Sequence, residues 1–447
     1  MENIKLFNKK IINSLKGINY KLFIALLLTG IVPTIYTTIR TFWLGNLPGE
    51  WSFSIAGQLS WINLFYEVLN EAIILPLFFF LGKEIHNKEE FNNRIKTGLI
   101  ISSSLYLLLG IIIISFTFPL LRLMATAPNI INESATYIRL ECIANVFMIL
   151  SQYIFISLII LGREKSVYIL TGIKLLLSII FDTFFISTLD YSLNLGVNGI
   201  AISNIVVNLV LFIISLVILY KIGYNLFTKQ KLSFSWCKDF FKIGGISGLE
   251  SLVRNLFYML MICRMVNVVG EQGTYWVANN FIWGWMLLPI LQLAELIKQE
   301  VAVDNNHLKN HLLGYITISI FICLLWIILI PVYKPFMTHI LQFHDVDKLF
   351  NLVIILFGFY VLFALQNIWD SVFYAFGKTN YMLFESIVTN SIYYGICFLL
   401  YLANVFVPTL TGIALMFGIG IAFDAIVSFI AFLYFNKKEK LNLFATF

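Results

Sequence analysis

Long apolar runs alternate with short polar stretches along the whole chain. An apolar helix needs about 20 residues to cross a bilayer, and these runs have that length. Ending each run at a charge cluster, Gly, Pro or Asn places spans near 22–44, 52–81, 97–121, 137–161, 167–187 and 197–220. Six more follow near 243–268, 275–297, 312–333, 351–376, 381–403 and 411–435. The pattern predicts an all-α polytopic membrane protein of twelve transmembrane helices. Composition points the same way: 60% of the residues are hydrophobic and 12% charged, where soluble domains run at roughly 45–50% and about 25%. A soluble enzyme is excluded, and the spans leave no room for a sizeable extramembrane domain.

Charge sets the orientation. The net charge of +6 would suggest nucleic acid in a soluble protein, but in a membrane protein it reflects basic cytoplasmic loops. With the N-terminus inside, the inside segments hold twenty-two Lys and Arg, from Lys5, Lys9 and Lys10 to Lys437, Lys438 and Lys440, against Arg122, Arg139, Lys334 and Lys348 outside. Both termini are therefore expected in the cytoplasm, in a multi-pass protein of the inner (plasma) membrane. The run Leu22 to Leu44 has no small-residue cleavage site after a short core and reads as a retained first span. Five cysteines without CxxC spacing argue against a disulfide framework or zinc site.

The two halves of the chain repeat one another. Leu150 to Arg163 (LSQYIFISLIILGR) ends span four as Leu365 to Lys378 (LQNIWDSVFYAFGK) ends span ten, 215 positions later. Asn198-Gly199-Ile200-Ala201 opens span six as Thr411-Gly412-Ile413-Ala414 opens span twelve, at an offset of 213. Trp51 to Ile62 similarly matches Tyr275 to Trp285. Six spans per half give both halves one orientation, hence two six-helix lobes related by a pseudo-twofold axis along the membrane normal. The expected division is an N-lobe over 1–220, a basic linker over 221–242 and a C-lobe over 243–447. Parallel six-span repeats are a transporter signature.

Soluble chemistry is scarce. Gly377-Lys378-Thr379 lacks the glycine of a phosphate loop, since Val372 stands there. His307 and His311 have i, i+4 spacing but no acidic third ligand, and read as a solvated polar loop. Charges inside spans are more informative, because each costs about 2.5–3.5 kcal/mol at a helix centre unless it is paired or faces water. Glu67 and Glu71, one turn apart with Asn70 beside them, read either as a proton or sodium site or as partners of Lys174 or another buried cation. Lys174 and Asp182 share a face of span five but lie too far apart to pair. Asp370 sits six residues inside span ten, at a depth like that of Glu250, whose Arg254 at i+4 offers an internal ion pair. Glu295 with Lys298 and Glu385 near Lys378 are expected to snorkel to the interface, and Asp424 is an unassigned acid in span twelve. Pro33, Pro76 and Pro289 should kink their helices, and Gly244, Gly245 and Gly248 should loosen the start of span seven.

Several segments resemble multidrug and toxic compound extrusion (MATE) transporters of the multidrug/oligosaccharidyl-lipid/polysaccharide flippase superfamily. They are Arg40-Thr-Phe-Trp-Leu-Gly45-Asn-Leu47, Leu81-Gly82, Gly162-Arg163, Gly245-Ile-Ser-Gly-Leu-Glu250 and the Gly-Ile-Ala openings of spans six and twelve. The resemblance implies a V-shaped pair of lobes that exchanges substrate against protons or sodium. It departs at Arg40, where the family usually has Asp seven residues before the loop leucine, and at Ser247, where it often has Pro. The carboxylate that some members carry in span ten lies farther from the loop glycine than Asp370 does.

The resulting expectation is a transporter and not an enzyme: a monomeric secondary-active exporter of amphipathic small molecules, working as a cation antiporter by alternating access. It needs the lipid bilayer, no nucleic acid and no cofactor beyond the coupling ion, a proton or sodium. Asp370, Glu250, Glu67 and Glu71 are the candidate coupling acids, with Asp370 a possible sodium ligand. Arg40, Asn70, Lys174 and Arg254 are candidate substrate contacts. The alternative in the same superfamily is a flippase or exporter of lipid-linked or anionic substrates, which the buried cations favour. A membrane-embedded enzyme would need clustered catalytic polar residues at one interface, and a channel would show flux without counter-ion coupling.

Overall fold

A computed structural model of the chain describes residues 2–48, 51–226, 232–441 and 443, without the side chains of 2–7, 75, 78, 79, 164, 246, 250 and 305. The described residues are helical with short turns. In order they form α1 (Glu2–Lys16), α2 (Tyr20–Gly45), α3 (Ser52–Gly57), α4 (Leu59–Gly82), α5 (Lys88–Leu123), α6 (Ile131–Ile160), α7 (Glu164–Ile186) and α8 (Asn198–Lys221). There follow α9 (Cys237–Tyr258), α10 (Arg264–Val268), α11 (Gln272–Phe281), α12 (Leu288–Val303), α13 (Asn305–His339), α14 (Val346–Ala375), α15 (Asn380–Val388), α16 (Gly395–Leu402) and α17 (Leu410–Lys438).

Each of the twelve expected spans coincides with a helix or with helices joined end to end. Among the described residues, ten are long and apolar enough to cross a membrane, and the bent pair α11 and α12 makes an eleventh. Pro289 behaves as expected: it follows a π-helical turn at Ile282–Met286, and the chain bends by 51° between α11 and α12. Two further π-helical turns, Met259–Cys263 and Thr389–Tyr394, interrupt spans seven and eleven without a proline.

The contacts divide the chain into two compact units, residues 36–276 and residues 1–35 with 277–447. The first boundary falls inside α2, just beyond Pro33, and not at the basic linker. In the unit 36–276, α6 packs against α5 and α8, and α4 against α9, around a core that includes Trp61, Phe91, Tyr106, Ile138 and Tyr153. In the other unit, α14 packs against α12, α13 and α17. Its aromatics nest closely: the Trp369 and Phe432 rings stack at 4.6 Å, and those of Phe373 and Tyr381 at 5.1 Å. Outward-facing Leu324, Ile327 and Ile328 on α13 are half or more exposed, the surface that lipid tails cover in a membrane protein.

The repeat is visible in the helix ends. At the end of α6, Gly162 takes a positive φ of 68°, its N–H bonds to Ile159 O at 2.9 Å, and Arg163 N–H bonds to Leu158 O at 2.9 Å. At the end of α14, Gly377 takes a φ of 64°, with the same two bonds to Tyr374 O and Phe373 O at 3.0 and 2.8 Å. Both are glycine-terminated C-caps, in which only Gly adopts the left-handed turn without steric cost.

The glycines of span seven do something other than loosen a helix. A Cβ at Gly244 would overlap the carbonyl oxygen of Ala72, and one at Gly248 would lie 2.9 Å from the Ala72 methyl. They let α9 and α4 approach backbone to backbone, as small residues do at membrane helix interfaces. Gly245 has open space beside it. Accordingly Gly244→Ala should lower the thermal stability of the detergent-solubilised protein by about 1–3 kcal/mol through overpacking, whereas Gly245→Ala should not lower it. Equal effects would reject the close-packing role.

Candidate functional site

Three groups of polar side chains within the spans hold most of the candidate residues. The first joins α2, α6, α7 and α8. Arg40 Nε donates to Asp182 Oδ2 at 2.9 Å, and Arg40 Nη2 donates to Asp182 Oδ1 at 3.1 Å and to Asn204 Oδ1 at 3.0 Å. Asn204 then turns its amide to Glu141, with Nδ2 donating to Oε1 at 2.8 Å. Asp182 and Glu141 are buried, at 0% and 4% exposure. A planar guanidinium matched to both oxygens of one carboxylate is the geometry in which a buried pair repays its desolvation. Arg40 thus has a carboxylate partner inside the unit 36–276. The sequence argument passes over Glu141 and Asn204, although both lie inside apolar spans and the cost of a polar group there is the signal that would have found them.

The second group joins α4 to α9. Arg254 Nη2 lies 2.6 Å from Glu71 Oε1 and 3.6 Å from Glu67 Oε1. Of the two readings of Glu67 and Glu71, the structure supplies the pairing one, with Arg254 as the cation. The side chain of Glu250 lies outside the described residues, so its expected pairing with Arg254 is not described. Arg254 and Glu67 are 43% and 41% exposed, and charges so placed on spanning helices must meet water and not lipid. Asn70 carries a buried Oδ1 without a hydrogen-bond partner. Lys174 pairs with no carboxylate among the described residues; its Nζ lies 5.9 Å from the Tyr36 ring centroid, the same ring that Arg40 approaches at 5.9 Å.

The third group lies in the other unit, on α14, α15, α17 and the π-helical turn after α15. Asp370 Oδ1 accepts from Ser428 Oγ at 2.8 Å. Asp424 accepts from Gln366 Nε2 at 2.7 Å and from Thr389 Oγ1 at 2.6 Å. The expectation that Glu385 snorkels is wrong: it is buried, at 4% exposure. Lys378, its expected neighbour, pairs instead with Glu439 at 3.3 Å. Sequence spacing placed Glu385 near a lysine along one strand of chain, but helix packing, which spacing does not encode, turned it inward. Glu295 and Lys298 do pair, at 2.6 Å.

His307 and His311 are not in a solvated loop. They sit in the first turns of α13 with ring centroids 4.2 Å apart. His311 Nδ1 lies 2.6 Å from Ser14 O on α1, and His307 Nε2 lies 3.3 Å from Glu300. No group of three His, Cys, Asp or Glu spaced to hold a metal ion occurs among the described residues.

Residues 25–184 match the MatE family model. No curated protein sequence matches the chain. Among solved structures, the chain is similar to a multidrug resistance MATE family transporter of the MOP superfamily in its inward-facing conformation, with TM-score 0.71, 18% identity, and 92% of this chain and 95% of that one covered. The outward-facing conformation of a transporter of that description matches with TM-score 0.68 and 18% identity over 98% of this chain and 96% of the other. A MOP superfamily transporter from Pyrococcus furiosus, described as having a binding pocket of reverse polarity that suggests a different function, matches with TM-score 0.64 and 19% identity over 97% and 98%. The chain therefore has the all-helical fold of these transporters, and residues 25–184 within it match the MatE family model.

Proposed function

We propose that the protein is a secondary-active exporter that exchanges amphipathic small molecules for a cation by alternating access between its N-lobe (1–220) and C-lobe (243–447), which the 221–242 linker joins. Both termini lie in the cytoplasm and the protein acts as a monomer in the cell membrane. Similarity to transporters in inward- and outward-facing conformations supports alternating access. The observation that carries cation coupling is the position of Asp370: partly buried in the third group, hydrogen-bonded to Ser428, and in no ion pair among the described residues. A coupling acid has to be ionised when its cation binds and neutralised otherwise, and a carboxyl already tied to a guanidinium is not free to do this.

That criterion sorts the other candidates. Arg40 occupies Asp182, so its charge is balanced within the protein and it is not presented to an anionic cargo. Glu67 and Glu71 share Arg254 and form a half-exposed patch with two carboxylates to one guanidinium. With Asn70 beside it, that patch is the proposed contact for substrate, and its partly exposed carboxylates favour cationic amphiphiles. Lys174 beside Tyr36 is the feature that keeps the anionic or lipid-linked alternative open. One charge moved down ~100 mV supplies about 2.3 kcal/mol, and each tenfold gradient adds about 1.4 kcal/mol, enough to concentrate a substrate.

In proteoliposomes, an imposed proton or sodium gradient should drive ethidium, a cationic amphiphile, against its own gradient. Dye that merely equilibrates, at the same rate with and without either gradient, would indicate a channel or a different cargo. The Arg40–Asp182 pair is expected to be structural: Arg40→Met should cost about 3–5 kcal/mol by leaving a buried carboxylate unpaired, and the double variant Arg40→Met/Asp182→Leu should recover most of it. Thermal unfolding of the two proteins checks this, and a double variant no more stable than the single one would reject it.

A further inference from the structure

We propose that the outward face of α1 binds the headgroups of anionic phospholipids, so that the membrane surface holds the protein as well as its spans do. This role is independent of what the spans transport.

The helix α1 has two faces of different chemistry. On one side Ser14 is buried, Ile11 is partly buried, and Ile18 just beyond the helix is buried too. That side is docked on α13: His311 Nδ1 donates to Ser14 O at 2.6 Å, and the Gly314 N–H donates to Ser14 Oγ at 2.7 Å. The fit is close, because a Cβ at Gly17 would overlap the His311 ring and one at Gly314 would lie 2.8 Å from Ser14 O. The opposite side carries Lys9, Ile12 and Lys16 at i, i+3 and i+7, the spacing of one helix face. All three are exposed, Ile12 by 52%. Neither Lys9 nor Lys16 has a carboxylate partner among the described residues.

The turn into the first span fixes α1 in place. Only Gly17, Ile18 and Asn19 separate it from α2, a helix long and apolar enough to cross a membrane. Asn19 Oδ1 accepts from the Leu22 N–H at 3.1 Å and so caps α2, while the Asn19 N–H donates to Glu300 Oε1 at 2.7 Å. Tyr20 Oη donates back to Leu15 O at 3.0 Å. The outward face therefore stands ready beside the entrance of a span, and binding there does not have to order a loose segment.

Position and chemistry together select the occupant. A helix that begins a few residues before a span lies where hydrocarbon gives way to headgroups. An apolar side chain between two lysines suits that boundary: the isoleucine and the lysine stems reach towards the acyl chains, and the ammonium groups turn back to the phosphates. The neighbouring charge has the same sign. Lys21 of α2 and Lys309 of α13 are exposed, and the exposed acid nearby, Asp304, is engaged in capping α13 through the Asn306 N–H at 2.9 Å. Free phosphate would use the lysines but would have no use for Ile12.

Photoreactive phosphatidylglycerol and phosphatidylcholine, offered in equal amounts in nanodiscs and read by peptide mass spectrometry, test this on the unaltered full-length protein. Labelling of α1 should favour phosphatidylglycerol. A lysine near an anionic surface strengthens attraction about fivefold, so two give a preference of up to roughly thirtyfold. Lys9→Gln/Lys16→Gln should lose that preference, and Ile12→Asn should lower labelling by both lipids. Neither change touches the face docked on α13, so thermal unfolding in lipid-free detergent should be unaltered in both variants. Equal labelling by the two lipids, or a preference kept in Lys9→Gln/Lys16→Gln, would overturn the proposal. So would loss of labelling on adding inorganic phosphate, which would mark a site for a free anion, or an amine-reactive crosslink from Lys9 or Lys16 to a second copy of the chain.

Discussion

Hydrocarbon offers no hydrogen bond, so every polar group that a spanning helix carries must be met by protein or by water. In this chain that constraint is most demanding where helices meet side by side. Arg40 and Asp182 satisfy it as a bidentate pair, with Asn204 and Glu141 extending the network. Arg254, Glu67 and Glu71 satisfy it with each other and with exposure. Among the described residues, Asp370 and Asp424 accept from neutral donors and no ion pair reaches Asp370, Glu385 or Asp424. The three groups use the same physical currency and end at different charge balances, which is what separates a structural pair from a site that can change state.

The helices and their ends were legible in the chain because they are local. Apolar length marked the spans, Gly162 and Gly377 marked two equivalent caps, and Pro289 marked the 51° bend between α11 and α12. Partnerships were not legible, because they join residues far apart in sequence. Arg40 finds Asp182 and Arg254 finds Glu71, 142 and 183 positions away. Spacing along one helix suggested a snorkelling role for Glu385, and that suggestion could not register how α15 meets α14. Gly244 illustrates the same limit: its composition reads as looseness, while its contact with Ala72 is close packing.

Rigid packing and built-in breaks coexist in these spans. Aromatic rings close around Phe373 and Trp369 on α14, while π-helical turns interrupt spans seven, eight and eleven. A turn of this kind leaves the regular backbone ladder locally altered, so it is a place where a helix can change direction at small cost. Thr389 ties one such turn to Asp424, which puts the acidic group and a conformational break within a single hydrogen bond.

The central claim is that the group lacking a cation, and not the groups that have one, couples transport. Proton-gradient-driven ethidium movement in proteoliposomes compares Asp370→Asn with Glu67→Gln/Glu71→Gln most directly. The account predicts that Asp370→Asn still equilibrates the dye but no longer concentrates it, while the Glu67/Glu71 variant binds the dye more weakly and still concentrates what it carries. Undiminished concentration by Asp370→Asn would contradict it.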